Sequence, residues 1–201
     1  MDIAKTDEKK QLRKKLRKEL SSFCASPLYE EHSKKAASNF LGSTLYANAP
    51  LILAFMSLKS EADTHPLIDK MLQDKKKVAI PKTDETTMTF RLLKSDVPLQ
   101  EQLECGNYGI EEPRPELEET EPEKLPEGTV ILVPGMAFSK GGSRLGKGKG
   151  YYDSYIARIS TETKLVGYAF SFQIVPDVPC EAHDKKVGYL VTEEGITICG
   201  D

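Results

Sequence analysis

The segment with the clearest chemical potential runs from Arg144 to Asp153 and reads Arg-Leu-Gly-Lys-Gly-Lys-Gly-Tyr-Tyr-Asp. Glycines let a backbone approach a ligand closely and expose its N–H groups, while the arginine and the two lysines add positive charge suited to phosphate. The two tyrosines offer flat faces to a ring, and Asp153 offers carboxylate oxygens to a metal ion. The segment, called the glycine loop below, therefore predicts a site for a phosphate-bearing ligand.

Two familiar phosphate-binding patterns do not fit the glycine loop. A Walker A loop would match Gly141, Gly146 and Lys147, but Gly148 stands where that pattern needs a hydroxyl side chain. Gly146, Gly148 and Gly150 are spaced G-x-G-x-G rather than G-x-G-x-x-G, so the dinucleotide fingerprint is absent as well. A solvated glycine-lysine turn is the plain alternative, but such a turn has no need for Tyr151-Tyr152-Asp153.

The elements around the glycine loop must place it at the edge of a sheet. An apolar strand, Thr129–Val133, and a turn at Pro134-Gly135 precede it, and the pattern predicts a helix from about Gly150 to Ile159 after it. Ligands of α/β sheets bind at this strand-to-helix edge. The position in the chain thus favours a binding role over a plain surface turn.

The rest of the chain alternates helices with strands. Helices are expected at 5–23, from a Ser26 N-cap to about Leu41, and from an Asp63-Thr64 cap through Leu72. Strands are expected at 51–58, 77–81, 88–93, 129–133, 165–170, 187–192 and 196–199, whereas 106–113 is turn-rich and 114–127 an acidic surface connection. This alternation predicts an α/β fold, with one domain over residues 1–201 and a mainly parallel sheet flanked by helices.

Composition narrows the class of protein. The chain has 201 residues, 39% of them hydrophobic and 29% charged, which is typical of a soluble globular domain. A net charge of −3 argues against a protein that coats nucleic acid, and the apolar run near Leu51–Met56 is too short for a bilayer. Four separated cysteines and only three histidines argue against a zinc site. With no secretory signal in the first residues, we expect a cytoplasmic protein with reduced thiols.

The glycine loop together with Pro134–Phe138 resembles the signature of the 5-formyltetrahydrofolate cyclo-ligase family, also called methenyltetrahydrofolate synthetases. Weaker matches run along the chain. They are Lys9–Arg13, Phe55–Leu58 with Glu61 and Asp63-Thr64, Tyr108-Gly109-Ile110 with Glu112-Pro113, and His183-Asp184. Gly188 stands where the family often has an aspartate, so the role of that carboxylate is not transferred to this chain.

The resemblance implies a reaction and a fold. The reaction converts 5-formyltetrahydrofolate and ATP into 5,10-methenyltetrahydrofolate, ADP and phosphate, with ATP and Mg²⁺ bound and no nucleic-acid or membrane partner. The fold is Rossmann-like and resembles the isomerase and CoA-transferase folds, and the protein is expected to be a monomer.

The resemblance also implies roles for individual residues. Arg144 and Lys149 are the catalytic candidates, and Asp153 and Asp184 are the candidate magnesium ligands. ATP contacts are expected from Lys9, Lys10, Gln11, Leu12, Arg13, Arg144, Leu145, Gly146, Lys147, Gly148, Lys149, Gly150, Tyr151 and Tyr152. Folate contacts are expected from Met56, Glu61, Tyr108, Phe138, Lys147, Gly148, Lys149, Gly150 and Tyr151.

Plainer interpretations stand beside these roles. A basic helix face such as Lys9–Arg13 is usually solvated. Met56 and Phe138 also suit core packing, Glu61 an exposed turn, and Asp184 a loop turn. Two other functions fit parts of the pattern: a sugar-phosphate isomerase on a similar sheet, and an RNA-binding module that uses the basic first helix with Tyr151-Tyr152.

Overall fold

The helices and strands form an α/β architecture, seen in a computed structural model that describes residues 3–106, 110–181 and 184–200. The helices are α1 (Ile3–Cys24), α2 (Leu28–Leu41), α3 (Thr44–Asn48), α4 (His65–Gln73) and α5 (Tyr151–Ile156). The strands are β1 (Ile52–Leu53), β2 (Val78–Thr83), β3 (Met88–Leu92), β4 (Leu103–Cys105), β5 (Glu111–Pro113), β6 (Glu119–Thr120), β7 (Thr129–Val133), β8 (Ala137–Ser139), β9 (Arg144–Leu145), β10 (Thr163–Tyr168), β11 (Ile174–Val175), β12 (Tyr189–Thr192) and β13 (Gly195–Ile198). None of the helices in the described residues combines the length and apolar character needed to span a bilayer.

The main sheet has eight strands in the order β13-β12-β10-β7-β1-β2-β3-β6. The central strands, from β12 to β2, are parallel to one another. Antiparallel strands complete both edges, with β13 beside β12 and the pair β3–β6 beside β2. The sequence-based prediction of a mainly parallel sheet flanked by helices is therefore confirmed.

The sheet is buried on both faces, which explains its continuous apolar strands. Side chains of β7 alternate between two cores: Val130 and Leu132 face the core formed with α1 to α4, and Ile131 and Val133 face the second core. The second core includes Tyr155 from α5 and residues of the β8 region. All five residues of β7 are buried, so this strand forms the centre of the protein.

Some sequence-based boundaries are wrong. The predicted strand 51–58 forms ladder pairs only at Ile52–Leu53, after which the buried chain turns away to build the cavity described below. Ser26 does not cap α2, because its buried Oγ has no hydrogen-bond partner among the described residues. The predicted cap of α4 is confirmed: Thr64 occupies the N-cap position, and Asp63 Oδ1 accepts the His65 amide.

Several short strands escaped sequence analysis. The supposed turn-rich and surface stretch from 106 to 127 contains β5, which pairs with β4, and β6, which extends the main sheet. A separate three-stranded sheet, β11-β8-β9, leads into the glycine loop. Strands of two or three residues are too short to show a periodic pattern, so their pairing depends on tertiary context.

Gly142 is an essential turn residue before the glycine loop. Its φ is +82°, and a Cβ there would lie 2.2 Å from the carbonyl oxygen of Val187. We predict that Gly142→Ala lowers the free energy of unfolding by about 3 kcal/mol, because backbone strain and a backbone clash act together. Urea denaturation measures this.

Gly188→Ala is the matched control. The nearest atom to a Cβ at Gly188 lies 3.9 Å away, and its N–H bonds across to the Leu165 carbonyl oxygen. Its stability should stay close to that of the wild type. Equal stability of both variants would show that the turn at Gly142 tolerates a side chain.

Candidate active site

A cavity of about 820 Å³ opens at the carboxyl ends of the parallel strands. One wall is the segment after β1, with Phe55, Met56, Leu58 and Glu61, and another is the end of β2 with Thr83. The β5 region, the N-terminal half of α1 and the whole glycine loop close the remaining sides. Its size lies in the range of ligand pockets.

The glycine loop holds its shape through its backbone conformation and through hydrogen bonds to distant segments, one of them from α1. Gly148 and Gly150 adopt positive φ values of 104° and 73°, which other residues rarely reach. Arg13 Nε on α1 donates to the carbonyl oxygen of Gly146 at 2.9 Å. The loop is therefore shaped by its glycines and tied to the first helix.

Arg144 and Asp153 form an ion pair across the base of the loop. Arg144 Nη2 lies 2.7 Å from Asp153 Oδ2, and the arginine side chain is only 6% exposed. The guanidinium also lies over the ring of Tyr152, 5.9 Å from its centroid. This buried cation, which lines the cavity, is thereby held in one orientation.

Lys9 brings α1 into the same cluster of charges. Its Nζ lies 2.7 Å from Asp184 Oδ2 and 3.0 Å from Glu181 Oε2. Burial alone would lower the pKa of Lys9, but hydrogen bonds and charge from Asp184 and Glu181 outweigh it and raise the pKa above the usual 10.5. Lys9 therefore remains a cation at neutral pH.

Lys147 and Glu61 form a third ion pair, between the glycine loop and the segment after β1. Lys147 Nζ lies 2.6 Å from Glu61 Oε1, and Glu61 Oε2 accepts the Leu58 amide at 2.8 Å. Glu61 is buried, and its backbone carbonyl accepts the hydroxyl of Tyr29 at 3.0 Å. The carboxylate is thus anchored on one oxygen and neutralised on the other.

The structure separates the predicted residues of α1 into two groups. Lys9 and Arg13, which are four apart, both line the cavity as expected for one helix face. Lys10 and Gln11 are exposed, and Leu12 packs against the core. The predicted ATP contacts of Lys10, Gln11 and Leu12 do not fit these placements, because their side chains lie outside the cavity.

The predicted folate residues are divided as well. Met56, Glu61 and Tyr151 line the cavity, but Phe138 is fully buried. A Cβ at Gly135 or Gly167 would lie within 2.6 Å of the Phe138 ring, so this ring fills the core beneath the loop. Its predicted role as a pocket wall is therefore corrected to core packing. Tyr108 and His183 lie outside the described residues.

The two tyrosines of the loop take different positions. The hydroxyl of Tyr151 donates to the carbonyl oxygen of Asp84 at 3.0 Å, which joins the loop to the turn between β2 and β3. The Tyr152 hydroxyl is buried without a hydrogen-bond partner among the described residues. Burial, with a smaller effect of the Glu61 charge, raises the pKa of Tyr152 and keeps it neutral.

Asp153 and Asp184 carry carboxylate oxygens, the donor type that Mg²⁺ prefers. Asp153 Oδ1 accepts the amide of Lys185, the residue after Asp184, so the two carboxylates share one end of the cavity. Mg²⁺ takes one or two protein carboxylates and keeps waters or phosphate oxygens for its other positions. Both carboxylates are paired with cations, so a metal ion would compete with Arg144 and Lys9.

Other cavity residues were missed as site residues. Glu181 pairs with Lys9 although 172 positions separate them, and no local pattern signals this contact. Thr83, Glu111 and Glu112 also line the cavity. Glu112 belongs to the central motif quoted for the family resemblance, so that motif was the available signal.

Comparison with known proteins decides the family. The model of the 5-formyltetrahydrofolate cyclo-ligase family matches residues 5–193. The chain belongs to this family. A cyclo-ligase of that name from Mus musculus is 28% identical, with 92% of this chain and 94% of the relative covered. The Escherichia coli K12 enzyme is 29% identical over 81% and 88% of the two chains. The relatives are named as ligases, in agreement with the predicted enzyme class.

Solved structures agree with the cyclo-ligase assignment. The 5,10-methenyltetrahydrofolate synthetase of Aquifex aeolicus is 32% identical, with a TM-score of 0.78 over 96% of this chain and 93% of the other. The synthetase of Mycoplasma pneumoniae, 21% identical, gives a TM-score of 0.69 over 92% and 99% and supports the fold.

The bond from Arg13 to Gly146 makes a testable contribution to loop order. We predict that Arg13→Met speeds amide hydrogen exchange in residues 146–150 about fivefold, because a partly exposed bond worth about 1 kcal/mol is lost. Hydrogen–deuterium exchange with mass spectrometry measures this.

Arg17→Met is the control, because Arg17 lies one turn further along α1 and is exposed. It should leave exchange in the loop unchanged. Equal exchange in the wild type and Arg13→Met would mean that the glycine loop needs no tie to α1.

Proposed function

We propose that the protein converts 5-formyltetrahydrofolate and ATP into 5,10-methenyltetrahydrofolate, ADP and phosphate. Family membership gives the reaction class. ATP dependence of the reaction is supported by one observation: five basic side chains line a single cavity that also has an apolar wall. They are Lys9, Arg13, Arg144, Lys147 and Lys149. Such a cavity suits a polyphosphate beside a flat, largely apolar ring system.

The chemical difficulty lies in the formyl group. Its oxygen is a poor leaving group, and transfer of the γ-phosphoryl group of ATP to that oxygen releases ADP and makes it a good one. N10 then attacks the formyl carbon, the new C–N bond closes the ring, and phosphate and the N10 proton leave. Catalysis of phosphoryl transfer rests mainly on positioning and charge neutralisation.

The cations of the glycine loop supply that neutralisation. Arg144 is buried and directionally fixed, so it would act on the transferring phosphoryl group without losing orientation. Lys149 lies in the loop between Gly148 and Gly150, where it would stay in contact with the phosphoryl group as that group is transferred. Lys9 and Arg13 would bind the remaining phosphates from α1. Asp153 and Asp184 would hold Mg²⁺, which supplies charge compensation at the phosphate oxygens.

In the folate half of the cavity, Glu61 and Met56 would make the main contacts with the pterin. Glu61 is anchored by the Leu58 amide, so its remaining oxygen has a fixed direction for the N–H groups of the pterin edge. Met56 gives an apolar wall, and Tyr151 and Tyr152 give ring faces. Lys147 must leave Glu61 when the pterin binds, since both use the same carboxylate oxygen.

The direct test is an absorbance assay of methenyltetrahydrofolate with purified protein, Mg-ATP and 5-formyltetrahydrofolate. The proposal predicts product with all components and none without ATP. Stoichiometric ADP release, measured in parallel, should match the product formed. Product formation at an unchanged rate without nucleotide would overturn the proposed reaction.

Lys149→Ala tests the catalytic role of the loop. We expect kcat to fall at least about a hundredfold, because one charge-stabilising group at the transferring phosphoryl is lost. Lys140→Ala is the control, since Lys140 is exposed in the turn before the loop and outside the cavity lining. Both variants should unfold at the wild-type temperature, and wild-type turnover by Lys149→Ala would remove this lysine from the mechanism.

A further inference from the structure

His65 connects two walls of the cavity without lining it. The side chain lies at the start of α4, about one-third exposed, with Nδ1 2.9 Å from Asp63 Oδ1 and Nε2 3.3 Å from Glu111 Oε2. Asp63 belongs to the segment after β1, whereas Glu111 begins β5. The imidazole thus lies between carboxylates from two different elements.

The first partner, Asp63, belongs to a network that shapes the wall carrying Met56 and Glu61. Ser57 Oγ donates to Asp63 Oδ1 at 3.2 Å and accepts the Thr64 amide at 3.0 Å. Thr64 Oγ1 accepts the Ser57 amide at 3.0 Å and donates to the Phe55 carbonyl oxygen at 2.6 Å. This mutual bonding fixes the segment between Phe55 and His65 as one unit.

The second partner, Glu111, belongs to another element that lines the cavity. Ile110, Glu111 and Glu112 all line the cavity, and the last two belong to β5, which pairs with β4 at three positions. Glu112 is tied to β2 through Thr83, which leaves the Glu111 end to be fixed from another side. The contact with His65 joins this end to the wall that carries Glu61.

We propose that His65 is a positioning residue that, as an imidazolium, holds the Glu111 wall against the Glu61 wall and so sets the width of the folate half of the cavity. This inference rests on the proposed function, because it assigns a substrate to that half. It concerns a residue outside the cavity lining and adds no catalytic group.

The simultaneous contact of His65 with Asp63 and Glu111, called the clamp below, depends on the protonation state of the imidazole. An imidazolium has two N–H donors and serves both carboxylates, whereas a neutral imidazole has one donor and leaves one carboxylate facing a lone pair. The hydrogen bond to Asp63 is the largest effect on the pKa of His65; burial lowers the pKa, but the charges of Asp63 and Glu111 add to the bond and raise it above the usual 6.5. The clamp is therefore complete below about pH 6.5 and is lost as the pH rises through the higher pKa of the folded protein.

His65→Gln tests the clamp, because glutamine can keep one hydrogen bond but carries no charge. At pH 6.5, we expect KM for 5-formyltetrahydrofolate to rise about three- to tenfold, with KM for ATP and kcat within about twofold of wild type. The ratio of variant to wild-type KM should fall toward one between pH 6.5 and 9. A ratio cancels any ionisation of the substrate itself.

His32→Gln is the matched control. His32 also faces a carboxylate, with Nδ1 3.2 Å from Glu193 Oε1, but it lies on α2 outside the cavity lining. Its kinetics should equal those of wild type at every pH. Glu111→Gln should reproduce the effect of His65→Gln, since it removes the other half of the same pair.

The outcomes separate this inference from the proposed function. The clamp would be overturned, and the function left intact, if the wild-type protein forms product and the ratio of the His65→Gln KM to the wild-type KM is one or does not change with pH. A wild-type protein that forms no methenyl product would overturn the function first. If His65→Gln fails to fold, a KM for folate in Glu111→Gln that matches wild type would still overturn the clamp.

Discussion

The cavity is organised by opposite charges that pair across it. Three sets of ion pairs join α1, the glycine loop, the segment after β1 and the segment after β11. They are Lys9 with Asp184 and Glu181, Arg144 with Asp153, and Lys147 with Glu61. A half-buried charge is costly unless a partner compensates it. The carboxylates therefore compensate the cations that, under the proposed function, bind the polyphosphate. The sheet contributes by bringing these distant segments to the carboxyl ends of its parallel strands.

Under the proposed function, ligand binding exchanges the partners of these charges instead of filling an empty charged site. Phosphate oxygens would take over Lys9, Arg144 and Lys147, and the released carboxylates are of the kind that bind Mg²⁺ or accept pterin N–H groups. In such an exchange each cation keeps an anionic partner, so the protein avoids the cost of an unpaired half-buried cation in either state. The Lys147–Glu61 pair is the most informative about this exchange. Lys147 is a predicted nucleotide contact, Glu61 is a predicted folate contact, and the two are paired directly with each other.

Sequence patterns predicted the parts of the molecule that local chemistry determines. The buried strand β7, the helices α1 and α2, the parallel sheet and the glycine loop all followed from periodicity and composition. The short strands β4 to β6 and the contact of Lys9 with Glu181 depend on tertiary pairing, which leaves no periodic trace. Phe138 was wrongly predicted to line the pocket. The sequence beside a binding motif looks the same whether its aromatic residue faces the ligand or the core.

The most direct test of this exchange is the affinity for 5-formyltetrahydrofolate, measured by calorimetry with and without a non-hydrolysable Mg-ATP analogue. In the wild type, the analogue should raise the folate affinity at least about fivefold, because Lys147 moves to the phosphates and frees Glu61. In Lys147→Met, the folate affinity should be the same with and without the analogue. A wild-type folate affinity that does not respond to the analogue would contradict the exchange of charged partners in the cavity.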